Sequence, residues 1–90
     1  VKIKMDNIVD DSKFISYEDL YESVEMRLDI EFWLRGVMYN ISWEYRKPFI
    51  SICPQGDTTY FKNTDDLLNN YRIDGIPLGE LWHEIDIILM

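Results

Sequence analysis

From Asp29 to Glu44 apolar residues recur at every second position, and that alternation constrains the fold more than any other feature of the chain. Ile30, Phe32 and Leu34 alternate with Asp29, Glu31, Trp33 and Arg35, and the pattern resumes at Tyr39, Ile41 and Trp43. A period of two is the repeat of a strand with one face buried. Gly36-Val37 reads as a two-residue hairpin loop, with Gly in the positive-φ first position of a type II′ turn. This register sets Arg35 opposite Met38, Leu34 opposite Tyr39, Phe32 opposite Ile41 and Ile30 opposite Trp43, while Glu31 meets Ser42 on the other face. A slip of one residue would mix the two faces, so the alternation decides which side is inward.

Helical spacing flanks this hairpin. Ser16 followed by Asp19 is a variant capping box, and Tyr17, Leu20, Tyr21, Val24 and Leu28 then form one apolar stripe. Glu18, Asp19, Glu22 and Glu25 fall on the opposite side, giving this helix an acidic outer face. Beyond the hairpin, Arg46-Lys47-Pro48 interrupts the second strand, and Phe49 to Cys53 reads as a third. Pro54-Gln55-Gly56-Asp57 turns the chain into a fourth strand over Thr58 to Lys62. Thr64 caps a second helix, with Asp65 and Asp66 at its positive end and Leu67, Leu68 and Tyr71 as contacts. Pro77 suits the first position of a last helix, whose stripe is Leu78, Leu81, Trp82, Ile85, Ile88 and Leu89, with Gly79 a weakness and Ile87 pointing away. Residues 86–90 either stay with that helix or leave it to pair as a strand. Residues 1–13 read as an edge strand or a mobile arm. The expected architecture is a single small α+β domain spanning residues 1–90, an antiparallel meander of about four strands with two or three helices packed on one face.

Composition bounds what such a domain does. Seventeen acidic residues against nine basic ones give a formal charge of -8, while 47% of the residues are hydrophobic and 14% aromatic. That supplies a core and wraps it in an anionic surface, which repels nucleic acid and anionic membrane and favours basic partners. Neither a signal peptide nor a window of ~20 apolar residues is visible, so no membrane association is expected. One cysteine, Cys53, closes no intramolecular disulfide and suits a cytoplasmic protein.

Catalytic constellations are missing from the sequence. Glu80 and His83 have the Glu-x-x-His spacing of carboxylate-bridged metal sites, but that chemistry needs two such pairs and the chain has a single histidine. Asp65-Asp66 is explained by the helix dipole, and Asp29 and Glu31 by the outer face of a strand. No phosphate loop or EF-hand spacing is present. The expectation is a non-enzyme with no cofactor and no metal. Arg46-Lys47 reads as a solvated turn, with a phosphate clamp as the lesser alternative.

The stretch Leu67-Leu68-Asn69-Asn70-Tyr71-Arg72-Ile73-Asp74-Gly75-Ile76-Pro77-Leu78-Gly79-Glu80-Leu81-Trp82 resembles the tails of small uncharacterised proteins from AT-rich Gram-positive bacteria and their mobile elements. The resemblance implies a bacterial source and attaches no activity.

Recognition of a protein remains. Trp33 lies opposite the inward set, where it is either covered by another part of the chain or presented to a partner. Glu18, Asp19, Glu22 and Glu25 are either a solvated helix face or an anionic surface for a basic protein, as an inhibitor or immunity-type protein would use. The alternative is a homo-oligomeric structural subunit of a larger complex, dimerising through Ile87, Ile88, Leu89 and Met90.

Overall fold

The computed structural model describes residues 12–90; of the arm expected over residues 1–13, residues 1–11 lie outside the described residues. Helix α1 (Tyr17–Glu25) opens as its capping box dictates: the Asp19 N–H donates to Ser16 Oγ at 3.1 Å, and the Ile15 N–H donates to Asp19 Oδ2 at 3.0 Å. Strands β1 (Ile30–Leu34), β2 (Val37–Glu44), β3 (Lys47–Ile52) and β4 (Thr58–Tyr60) follow as an antiparallel meander. Helix α2 (Thr64–Asn70) leads into a small hairpin of β5 (Arg72–Ile73) and β6 (Ile76–Pro77), then a 3₁₀ helix (Leu78–Glu84) and β7 (Asp86–Leu89). Strand β7 returns to pair with β1, giving a five-stranded sheet in the order β4-β3-β2-β1-β7. The fold class is therefore α+β, as the sequence indicates, with one strand more than the meander.

The three helices of the described residues serve one core on one face of the sheet. Leu20 and Val24 of α1, Leu67 and Leu68 of α2, and Leu78 and Leu81 of the 3₁₀ helix meet Ile30, Phe32, Leu34, Tyr39, Ile41 and Ile50 from the strands. These strand residues are the inward set of the alternation. Phe14, just before α1, and Ile85, just before β7, complete the cluster.

The hairpin register differs from the expected one by two positions. Leu34 faces Val37, Phe32 faces Tyr39, Ile30 faces Ile41, and Glu31 meets Asn40. Its loop is Arg35-Gly36, with φ of 52° and 80°, so both central residues carry the positive φ of a type I′ turn. Val37 is β-branched and stays in the strand, and Gly36 takes the second turn position, where L side chains are strained. A shift of two preserves every face, which is why the inward set is right while the partners are not.

Pro48 does not break the sheet. It is buried within β3 and faces Trp43, with its carbonyl accepting from the Phe61 N–H at 2.9 Å. In a strand the N–H and C=O of one residue point to the same side, so its missing N–H faces the end of β4 and costs β2 nothing.

The last helix is shorter than its stripe suggests. The 3₁₀ helix ends at Glu84, Ile87 packs on the core opposite Phe32, and Ile88 and Leu89 are exposed, the reverse of the expected burial. Pro77 precedes this helix, in β6. Gly79 has a packing reason: an added Cβ would come within 2.9 Å of Tyr17 Cε1 and 3.1 Å of the Leu68 carbonyl oxygen. Glycine thus lets the 3₁₀ helix press against both α1 and α2. At α2 the cap is Asn63, whose side chain accepts from the Asp66 N–H at 2.8 Å, and Thr64 is the first helical residue instead.

Candidate functional site

The residues expected to face a partner separate into three environments. Trp33 is on the sheet face away from the helices and 45% exposed. It stands between Met38 of β2 and Asp86 of β7. On the same face lie Glu31 and Leu89, Asn40, Ser42, Phe49, Ser51, Thr58 and Tyr60, as the cross-strand pairs dictate. Ser51 and Thr58 share a hydrogen bond at 2.8 Å, and the Phe49 and Tyr60 rings are 5.3 Å apart. This is a shallow surface of apolar side chains set among short polar ones, with exposed Ile88, Leu89 and Met90 along the β7 side. No helix of the described residues packs over it.

The acidic helix face is less free than its sequence suggests. Asp19 is committed to the capping box. The Glu25 carboxylate accepts the hydroxyl proton of Thr64, which has no exposed surface, and so ties α1 to α2. Glu18 and Glu22 remain exposed. The four carboxylates share one helix, as expected, but two of them hold the fold together.

Ion pairs organise the end of the sheet nearest Trp33. The Arg35 guanidinium spans Glu84, with Nε–Oε1 at 2.8 Å and Nη2–Oε2 at 3.0 Å, and also reaches Asp74 at 3.1 Å. This fork holds the Glu84 carboxyl below its ordinary range and raises the Arg35 guanidinium further. Lys13 pairs with Asp86 at 2.7 Å. The third environment, at the opposite end of β2, is a groove that the residue order did not reveal. Arg27 arrives there from the α1–β1 connection, next to Arg46 and Lys47 at the β2–β3 turn.

His83 and Glu80 lie exposed on the 3₁₀ helix, and among the described residues no three His, Cys, Asp or Glu side chains gather as metal ligands would. No buried side-chain polar atom of the described residues lacks a hydrogen-bond partner. No helix among them is long and apolar enough to cross a membrane. The chain matches no family model, no curated protein and no solved structure.

Proposed function

We propose that this chain is a non-catalytic protein-binding module whose working surface is the sheet face centred on Trp33, which no helix of the described residues covers. The observation that carries this reading is the one-sided layering: three helices cover one face of a five-stranded sheet, and a 45% exposed Trp stands on the other. Burying an indole supplies a large apolar area together with a polar N–H, which is why Trp dominates binding hot spots. With 17 acidic and nine basic residues in the chain, the surrounding field steers a basic protein towards this face and keeps polyanions away. An inhibitor that covers a basic active surface is the sharper form of the reading. Glu18 and Glu22 contribute to approach, and Trp33 to retention.

Trp33→Ala tests it. The variant is expected to keep the melting temperature and far-UV spectrum of the parent and to lose the protein partner. Charge reversal at Glu18 and Glu22 is expected to slow capture with a strong dependence on salt, without abolishing it. A folded Trp33→Ala that holds the partner as the parent does would sink the proposal.

A second reading, homo-oligomerisation, is favoured by the exposed Ile88, Leu89 and Met90 in and just after β7, the last strand of the sheet, whose outer edge is met within the chain by the Ser12 carbonyl at the Ile87 N–H. It requires a concentration-dependent dimer in sizing chromatography that a charge at Leu89 disrupts.

A further inference from the structure

The groove at the β2–β3 turn runs against the electrostatics of the rest of the molecule. It has a volume of about 840 Å³ and is lined by Arg27, Glu44, Tyr45, Arg46, Lys47 and Tyr60. The chain carries nearly two carboxylates for each cation, and both Arg35 and Lys13 have found them. Yet among the described residues Arg27, Arg46 and Lys47 make no ion pair, although they surround one groove. The single carboxylate lining it, Glu44, is occupied by the Tyr60 hydroxyl, which donates to it at 2.6 Å.

Arg27 is also held in place before any ligand arrives. Its Nη1 donates to the Tyr45 carbonyl at 2.9 Å, and its guanidinium carbon lies 4.3 Å from the centroid of the Trp43 ring. Trp43 is itself fixed, its Nε1–H donating to the Val24 carbonyl at 2.9 Å. A guanidinium with one edge bonded and one face stacked presents its remaining N–H groups without the entropy loss of a free arginine.

We propose that this groove binds a phosphate monoester. Three cations less one carboxylate leave two positive charges, which match a phosphate dianion. The planar Arg forks and the Lys ammonium supply the donors that its oxygens need. Exposed Tyr45 and Tyr60 add flat walls for the body of the ester. Convergence on one groove suits one multiply charged group, whereas a run of carboxylates needs cations in a line. A nucleic-acid backbone is disfavoured, because the acidic surplus elsewhere repels an extended polyanion. The groove is at the far end of β2 from Trp33 and shares Tyr60 with that sheet face, but its cations take no part in the sheet-face reading, so the assignment does not rest on it.

The test is an amide-shift NMR titration of the whole chain at low salt with phenyl phosphate, and with benzoate as the singly charged analogue. Phenyl phosphate is expected to shift Arg27, Glu44 to Lys47 and Tyr60, and to bind at least tenfold tighter than benzoate. Binding is expected to tighten from about pH 5.5 to about pH 7.5, as the ester gains its second charge. The exposed double variant Arg46→Gln, Lys47→Gln is expected to lose at least tenfold in affinity while keeping the parent spectrum elsewhere. A phosphotyrosine peptide in a parallel titration distinguishes the source: tighter binding than phenyl phosphate assigns a phosphorylated protein, and equal or weaker binding a small metabolite. Absent or delocalised shifts, equal affinity for benzoate, or an unchanged double variant would each overturn the proposal.

Discussion

Thr64 is fully buried, and its hydroxyl proton goes to a carboxylate that sequence reasoning assigns to a partner. Removing that carboxylate with Glu25→Ala strands a buried hydroxyl, at a cost of about 1–3 kcal/mol. Thr64→Val removes the donor and leaves Glu25 to solvent, so the smaller loss is expected there. Urea denaturation of both variants checks the order, and a costless Glu25→Ala would place the carboxylate among purely solvated groups. Glu84 gives a pH-dependent counterpart. Arg35 lowers its folded pKa below the unfolded value, so the contribution is complete above the ordinary carboxylate range and is lost as pH falls through the folded value. The melting-temperature advantage of the parent over Glu84→Gln is therefore expected at pH 7 and should vanish in acid. An advantage that persists in acid would mean that the Gln variant fails for a steric reason instead. Neither pairing was legible in the sequence. Glu25 and Thr64 are separated by 39 positions, and Arg35 and Glu84 by 49, so only the folded chain brings them together.

At the scale of the element, alternation determines parity and turn geometry determines register. Ile30, Phe32, Leu34, Tyr39 and Ile41 are all buried, as the pattern requires, while their cross-strand partners differ from expectation by two positions. The deciding information was the turn type, which an isolated Gly leaves open between II′ and I′. Gly36→Ala is expected to cost about 1–2 kcal/mol through its left-handed backbone alone, since nothing crowds the position. Gly79→Ala is expected to destabilise by about 1–3 kcal/mol for the opposite reason, a crowded contact with Tyr17 and Leu68. Chemical denaturation measures both, and a stabilised Gly79→Ala would show that the 3₁₀ helix has room to move. The early end of the last helix has a different cause. Leu78, Leu81 and Ile85 have helical spacing and are buried, but the chain leaves the helix after Glu84 so that Ile87 can sit on the core beside Phe32. Spacing alone could not separate this from a longer helix, because both solutions bury the same first three residues.

For the molecule as a whole, one-sided layering and uneven charge define what the surface offers. The face that Trp33 occupies followed from alternation, and the acidic surplus from composition, so the sheet face was legible as a candidate while the exposure of Trp33 was left open. Of the basic groove only Arg46-Lys47 was legible, as the lesser phosphate-clamp alternative, because Arg27 is 18 positions from Tyr45 and reaches it only in the folded chain, by a hydrogen bond to the Tyr45 carbonyl and stacking on Trp43. The two surfaces occupy opposite ends of β2 and make separable demands, an apolar anchor at one and an anion at the other. The most direct test of the central claim is a quantitative comparison of proteins retained from native-host lysate by immobilised parent, Trp33→Ala and Arg46→Gln, Lys47→Gln chains. A basic protein is expected to be held by the parent and by the groove variant, to be released by Trp33→Ala, and to bind the purified parent directly. The same protein held undiminished by a folded Trp33→Ala would contradict that claim, and recovery of the bait alone would move the weight to self-assembly at β7.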